Sequence, residues 1–142
     1  MTSTNESLKG ECLCGAVRVE IRGDLERRME CRCAECQKVM GGGPAYIAMV
    51  ERSKAAINGE VKGYTVKGDS GGDVTRFFCP ECGTPTHSEL TKYPSVFVFK
   101  VGLFGPRSAS APQYAIWMGS APEWHPVAGD IPQFDAAPPP RG

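Results

Sequence analysis

The chain contains the stretch Gly10-Glu11-Cys12-Leu13-Cys14-Gly15, in which two cysteines are separated by a single residue. A disulfide between these two cysteines is disfavoured, because a relaxed S–S bond needs a Cα separation and a dihedral angle that so short a spacing does not supply. Two thiolates at this spacing can instead bind one metal ion when a second pair from elsewhere in the chain completes a tetrahedron. The stretch therefore predicts a fold that depends on metal ligation.

The remaining cysteines lie in two further groups, Cys31-Arg32-Cys33-Ala34-Glu35-Cys36 and Cys79-Pro80-Glu81-Cys82, the second followed by Gly83. The total of seven cysteines is odd, so disulfide pairing throughout would leave one thiol over. Thiolate ligands of zinc are often spaced by one or two residues, as these cysteines are. The cysteine pattern thus favours zinc binding over a disulfide framework.

Length and composition limit the classes of protein to consider. At 142 residues, the chain is long enough for one domain with its own core. Its 16 basic and 16 acidic side chains cancel, which argues against an extended nucleic-acid surface and gives no reason to expect an anionic membrane as partner. The longest strongly apolar run, 96–99, is far shorter than a signal peptide or a membrane span requires. We therefore expect a cytoplasmic protein with reduced thiols.

The periodicity of apolar residues predicts a mainly β, loop-rich domain. Alternating or β-branched and aromatic residues predict strands in five segments: 16–21, 61–66, 77–79, 96–99 and 114–118. One helical turn is predicted over residues 34–40. The 17 glycines and 12 prolines interrupt the chain too often for long helices, with turns expected at 41–43 and 71–72.

Three motifs resemble those of a known family: Gly10-Glu11-Cys12-Leu13-Cys14-Gly15-Ala16-Val17, Cys31-Arg32-Cys33-Ala34-Glu35-Cys36-Gln37 and Arg76-Phe77-Phe78-Cys79-Pro80-Glu81-Cys82-Gly83-Thr84. They look like the glutathione-dependent formaldehyde-activating family, whose domain type is also named after centromere protein V. The resemblance covers residues 10–134. It implies an Mss4-like fold of several small coiled antiparallel β-sheets, stabilised by zinc. Composition predicts a flexible N-terminus (1–9) and a proline-rich disordered tail (135–142).

The resemblance also implies how the cysteines are used, with two zinc ions per chain. One zinc is expected to be closed and structural, held by four thiolates: Cys12, Cys14, Cys79 and Cys82. The other would be held by Cys31, Cys33 and Cys36, for which no fourth cysteine remains. A zinc ion with three protein ligands keeps a position for water or substrate, so we expect this second site to be catalytic and the easier of the two to strip.

The activity that the resemblance implies is that of a carbon–sulfur lyase, similar to S-(hydroxymethyl)glutathione synthase. Its partners would be glutathione or a similar thiol, and formaldehyde or another small aldehyde. Three alternatives stay open: the same chemistry on a different thiol adduct, a non-catalytic zinc-stabilised binding module, and a second structural zinc completed by His87 or His125. The oligomeric state is not predicted.

Two arginines belong to the motifs. Arg32 stands between Cys31 and Cys33, where the family frequently has histidine. It is expected either to lower the pKa of the thiols or attract a substrate carboxylate, or else to point into solvent. Arg76 matches a basic position of the family, and either reaches an anionic ligand near the metal or lies partly exposed on a strand.

Overall fold

The computed structural model describes residues 7–68 and 71–137, which form two β-sheets with one short α-helix. The regular elements, in chain order, are β1 (Ser7–Glu11), β2 (Arg18–Arg22), β3 (Arg27–Cys31), α1 (Ala34–Val39), β4 (Ala45–Glu51), β5 (Ala55–Asn58), β6 (Lys62–Lys67), β7 (Asp73–Phe78), β8 (Pro85–Leu90), β9 (Val96–Lys100) and β10 (Tyr114–Ile116). Single turns of 3-10 helix lie at Arg52–Lys54, Val101–Phe104, Ser108–Ser110 and Met118–Ser120.

The smaller sheet has three antiparallel strands in the order β1-β2-β5. In β2, Val19 and Ile21 are buried while Arg18, Glu20 and Arg22 are exposed, as expected for a strand with one face on a core. This sheet includes strand β1, which the apolar pattern did not predict because Leu8 is its only large apolar residue.

The larger sheet has seven strands in the order β10-β3-β4-β9-β8-β7-β6. All of its pairs are antiparallel except β10–β3, which is parallel. The mainly β class predicted from the sequence is confirmed, as is the presence of more than one sheet. The larger sheet is wider than the small sheets expected, because β3, β4 and β8 extend it and were not predicted.

Two apolar clusters lie on opposite faces of the larger sheet. Phe99 belongs to the cluster between the two sheets, together with Ile21. Val98 belongs to a second cluster, with Cys31 and Cys36. Adjacent residues of a strand point to opposite faces, so β9 separates the intersheet core from the cluster that contains these two cysteines.

The five predicted strands correspond to β2, β6, β7, β9 and β10, and the predicted helical turn corresponds to α1. Residues 7–9, expected to be flexible, belong to β1. Asp135 and Ala136, expected in the tail, accept hydrogen bonds from the amides of Gly119 and Trp117 at 3.1 and 3.0 Å. Within these two segments, residues 1–6 and 138–142 lie outside the described residues.

Within the part of the chain that the structure describes, no helix has the length and apolar character needed to cross a membrane.

Candidate metal centres

Four thiols converge in a group that we call the four-thiol cluster, composed of Cys12, Cys14, Cys79 and Cys82. All of its sulfur atoms lie within 4.8 Å of one another. The Cys12 and Cys14 sulfurs are 3.7 Å apart, and those of Cys14 and Cys79 are 3.8 Å apart. A tetrahedral zinc ion with Zn–S bonds of about 2.3 Å holds its sulfurs about 3.8 Å apart. These two separations match a tetrahedral zinc site, and the four thiols form a donor set that zinc prefers.

Two similar turns present these thiols. The Gly15 amide donates to the Cys12 carbonyl at 3.1 Å, and the Gly83 amide donates to the Cys79 carbonyl at 2.8 Å. Both glycines have left-handed backbones, with φ of 81° and 78°, which side-chain-bearing residues adopt at a cost. These glycines thus close the turns through carbonyl oxygens. The Val17 amide, by contrast, donates to a sulfur atom, at 3.2 Å from Cys12 Sγ.

The chemical surroundings favour anionic sulfur at Cys82, whereas burial and the neighbouring thiols raise the pKa of Cys14 to about 12. The Thr84 hydroxyl lies 3.1 Å from Cys82 Sγ. Hydrogen bonds from the side chain and backbone of Thr84 lower the pKa of Cys82 to about 5. Metal ions bind the thiolate form of cysteine, so donors aimed at sulfur prepare the site for a cation.

The four-thiol cluster joins the two sheets. Cys12 and Cys14 lie between β1 and β2 of the smaller sheet, whereas Cys79 and Cys82 lie between β7 and β8 of the larger one. Cys12 and Cys79 are buried with Val17 in a small apolar cluster, while Cys14 is exposed. A metal ion here would cross-link segments 65 residues apart.

A second group, which we call the three-thiol cluster, consists of Cys31, Cys33 and Cys36, with sulfurs within 4.8 Å of one another. Cys31 ends β3, Cys33 is the N-cap of α1, and Cys36 lies in the first turn of that helix. The Cys36 amide donates to Cys33 Sγ at 3.3 Å. Cys31 and Cys36 are buried and Cys33 is half-buried, so the cluster is more accessible on the side of Cys33.

The protonation of the three-thiol cluster fits a cation-binding role. Hydrogen bonds from Cys31 and Cys36 lower the pKa of Cys33 to about 2. The same interactions, together with burial, raise the pKa of Cys31 above its ordinary value. Neighbouring thiolates repel one another, so the cluster shares negative charge through protons. A divalent cation satisfies all three sulfurs in place of those protons, and the donor set is one that zinc prefers.

Neither histidine joins the three-thiol cluster. The His87 ring stacks on Phe77 at a centroid distance of 4.7 Å and also contacts Phe99, on the face of β9 opposite to the thiols. Burial lowers the pKa of His87 to about 4. The His125 ring stacks on Trp124, and the carbonyl of His125 accepts a hydrogen bond from Arg32. Among the described residues, the group within ligand distance contains the three cysteines alone.

Arg32 neither points into solvent nor offers a free charge to a substrate carboxylate. Only 1% of Arg32 is exposed, so it does not point into solvent. Its guanidinium donates to the buried carboxylate of Glu30 at 2.9 Å and to the His125 carbonyl. The charge of Glu30 balances that of Arg32, which leaves no free cation there for a substrate carboxylate. Arg32 instead ties the chain between the two thiols to the segment around His125.

Two other basic side chains lie near the three-thiol cluster. Arg76 of β7 is an ion-pair partner of Glu35 in α1 at 3.3 Å, and its charge contributes to lowering the pKa of Cys33. Lys100, at the end of β9, is buried, with only 8% of the residue exposed. Lys100 was not predicted as a site residue, although its spacing of two residues from Val98 places it on the same buried strand face.

A groove of about 700 Å³ runs between α1, the helix that carries Cys36, and the outer strands β6 and β7, and none of the three thiols is among its lining residues. Its floor and walls are largely apolar, and its charged members come from α1 and β7. The lining comprises Glu35, Lys38, Val39, Tyr64, Val66, Arg76, Phe77, Phe78, Gly83 and Pro85.

The family described as "Glutathione-dependent formaldehyde-activating enzyme" matches residues 7–120 of the chain. The chain belongs to this family. All seven cysteines of this formaldehyde-activating family member lie inside the matched region.

The fold also resembles that of a solved protein, a Rhodobacter sphaeroides protein whose crystal structure was determined by the Northeast Structural Genomics effort. The two share 20% sequence identity with a TM-score of 0.58, over 89% of this chain and 99% of the other. At this identity the likeness concerns the fold alone, which thus occurs over nearly the whole length of another protein.

Proposed function

We propose that the protein is a carbon–sulfur lyase of the S-(hydroxymethyl)glutathione synthase type, acting with zinc held by Cys31, Cys33 and Cys36. The observation that carries this proposal is the convergence of three thiols with no fourth ligand group beside them in residues 7–68 and 71–137. Structural zinc sites are closed by four protein ligands, whereas catalytic sites keep one position for water or substrate. The family description names the same pair of reactants, glutathione and formaldehyde.

We assign a structural zinc to the four-thiol cluster. Four sulfurs saturate a tetrahedral ion and leave no position for a substrate. The place of the cluster between the two sheets supports this role, because a bound ion would hold together parts of the fold that share a small core. Both roles need reduced cysteines, and all seven are free, so we expect a reducing compartment such as the cytoplasm.

The proposed reaction is an addition that needs no oxidant or reductant. The thiol sulfur attacks the carbonyl carbon of the aldehyde, a carbon–sulfur bond forms, and the π electron pair of the carbonyl moves to oxygen. The proton that leaves the thiol is balanced by the one that the oxygen gains, which yields an S-hydroxymethyl adduct from formaldehyde. Zinc at the three-thiol cluster supplies a Lewis acid that lowers the pKa of an entering thiol, which is otherwise about 8.5.

The protein's own residues define where the substrates lie. Cys33 is the accessible member of the cluster, so substrates approach on its side. Arg76 stands there with 19% of its side chain exposed, and its charge favours anionic sulfur. The adjoining groove has apolar walls with charged groups at α1, so it suits the part of a thiol that does not react.

The test is exchange spectroscopy by NMR on equilibrium mixtures of thiol, formaldehyde and adduct, with and without zinc-loaded protein. Exchange at equilibrium is the suitable measurement because the uncatalysed addition is itself facile. We expect the protein to accelerate exchange for at least one of glutathione, cysteine and 2-mercaptoethanol. The thiol with the largest acceleration identifies the substrate class.

Two variants make this test specific. Cys33→Ser removes the accessible thiol and should abolish the acceleration, whereas Ala34→Ser places a hydroxyl at the adjacent exposed position and should retain it. Zinc content is measured in parallel, so that a loss of rate can be attributed to the three-thiol cluster. If protein carrying two zinc ions accelerates exchange with none of the thiols, the lyase assignment is wrong and a binding role is favoured.

A further inference from the structure

Lys100 lies on the same face of the larger sheet as the three thiols. In β9, Lys100 is two residues from Val98, and alternation places the two on one face. Val98 packs in the apolar cluster that contains Cys31 and Cys36. Lys100 is also paired in register with Ile47 of β4, another member of that cluster. Lys100 therefore belongs to the face of the sheet against which α1 packs.

The burial of Lys100 is not explained by an acidic partner. Among residues 7–68 and 71–137, six ion pairs link basic and acidic side chains, and none of them includes Lys100. Arg32, the other buried cation, is bonded to Glu30 in contrast. Burying an ammonium without compensation is costly, so an unpaired buried lysine calls for a negative group nearby.

The thiols are the groups whose negative charge acts on Lys100. Burial lowers the pKa of Lys100, the charges of Cys36, Cys31 and Cys33 oppose this effect, and the charge of Arg76 adds to it. Arg76 is engaged by Glu35, at 3.3 Å. Of the two cations beside the three-thiol cluster, Lys100 is thus the one whose donors are not held by a carboxylate.

Lys100 is also reachable from outside. It lines a broad surface groove of about 1280 Å³, in which Met40, Thr84 and Pro85 are neighbouring lining residues. A small carbonyl compound that enters this groove meets Lys100 near Met40, the residue that follows α1, and α1 carries Cys36. A cation in this position suits a reaction in which negative charge develops on an oxygen.

We propose that Lys100 is the anion-binding residue of the three-thiol centre and donates a hydrogen bond to the oxygen of the carbonyl substrate. This inference rests on the proposed function and adds a second reacting group to it. As sulfur attacks carbon, the electron pair of the carbonyl moves to oxygen, and the Lys100 ammonium stabilises that oxygen. The group then lies where the charge of the transition state forms, whereas Arg76 acts on the side of the sulfur.

The direct test uses formate, a small oxyanion that resembles the charged oxygen but does not react. Zinc-loaded protein is titrated with 13C-formate, and binding is followed by the broadening and shift of the formate resonance. We expect Lys100→Met, which keeps the length of the side chain, to weaken formate binding at least tenfold. Lys62→Met is the matched control, because Lys62 is an exposed lysine on the edge strand β6. This variant should bind formate as tightly as the parent protein does.

The same variants are then compared in thiol–formaldehyde exchange. Removal of one oxyanion donor lowers a catalytic rate by about 10²–10³-fold, and we expect a loss of this size in Lys100→Met. Lys100→Gln keeps a hydrogen-bond donor without the charge, so its exchange rate should lie between those of Lys100→Met and the parent protein. The affinity for the thiol alone should be the same in all of them, because Lys100 acts on the aldehyde oxygen.

The outcomes separate this inference from the proposed function. If formate binds the parent protein and Lys100→Met equally, or binds neither, the anion site is refuted whatever the exchange rates are. If Lys100→Met has lost the zinc of the three-thiol cluster, Lys100 only balances thiolate charge and the inference fails. If formate binding depends on Lys100 but no thiol–aldehyde exchange is accelerated, the anion site stands and the lyase assignment is wrong.

Discussion

The two cysteine clusters differ in what surrounds them more than in their own geometry. The four-thiol cluster lies between two turns of similar design and joins separate sheets. The three-thiol cluster lies within one region, where β3 meets α1, and is flanked by the basic residues Arg76 and Lys100. A cross-link between distant segments contributes to folding, whereas a short-range cluster with one ligand too few and cations beside it is suited to binding.

The largest effect expected from this contrast is that of Cys79→Ser. Cys79 is fully buried, and the substitution removes one of four ligands at the junction of the sheets. Structural zinc contributes about 10–16 kcal/mol of binding free energy in small domains, which is comparable with the whole stability of a domain. We expect the variant to lose cooperative thermal unfolding, followed by circular dichroism, and to retain less than one zinc per chain at this site.

An unchanged melting curve for Cys79→Ser would mean that the four-thiol cluster does not hold the fold together. The corresponding substitution in the three-thiol cluster, Cys31→Ser, provides a second test. If Cys31→Ser and Cys79→Ser both lost all zinc and unfolded alike, the division into a structural and a reactive cluster would be wrong.

A medium effect is expected at His87, which tests whether the three-thiol cluster has a hidden fourth ligand. The folded pKa of about 4 lies below the ordinary value of 6.5, so between these pH values the unfolded chain binds a proton that the folded chain excludes. Stability should therefore fall as pH decreases from 6.5 to 4, by up to about 3 kcal/mol from this residue. His87→Phe, which keeps an aromatic ring against Phe77, should remove that part of the pH dependence in urea unfolding.

The control for this measurement is His125→Phe, since the ring of His125 is outside the sheet core and its carbonyl makes the bond to Arg32. Acid also releases zinc from thiolates, but that effect is common to all three proteins and cancels in their differences. Both histidine variants should keep two zinc ions. Loss of the second zinc in His87→Phe would show that His87 is a ligand after all.

The smallest effect on stability is expected for Cys33→Ser. Serine is a favourable N-cap, so the substitution keeps an acceptor for the amide of Cys36 at the start of α1. We expect a change of no more than about 1 kcal/mol in the free energy of unfolding, together with loss of one zinc ion per chain. Native mass spectrometry counts the zinc ions, and calorimetric unfolding gives the stability. A large destabilisation would make the three-thiol cluster a fold element like its counterpart.

Much of the architecture was accessible from local pattern. The alternation in 16–21 and 61–66 predicted β2 and β6, and the run 34–40 predicted α1. Two of the missed strands have weak patterns: β8 contains His87, Ser88 and Glu89, and β3 carries Arg27, Arg28 and Glu30, whereas β4 (Ala45–Glu51) was missed although it is largely apolar. Polar residues such as Glu30 are buried here because they are paired, and pairing across the fold is not visible in a local window.

The candidate site was predicted only in part, for a similar reason. The motifs identified all seven cysteines and, through the resemblance, their division into four and three, which the sulfur positions now match. The contacts of Arg32 were not predicted, because a local pattern does not show that it pairs with Glu30, two residues earlier, or that it bonds to the distant carbonyl of His125. Lys100 was overlooked because its strand shows no cysteine or histidine.

By itself, the sequence determined the β-rich class, the number of thiols available to metal ions and the turns that present them, because spacing and periodicity are local properties of the chain. Only the tertiary structure decided which face of β9 carries His87's neighbour Phe99 and which carries Val98 and Lys100 beside the thiols. The assignment of residues to the two faces depends on how two sheets and a helix pack together. Once apolar residues on one face of β9 are buried between the sheets, the alternate residues lie on the face that carries the cysteines.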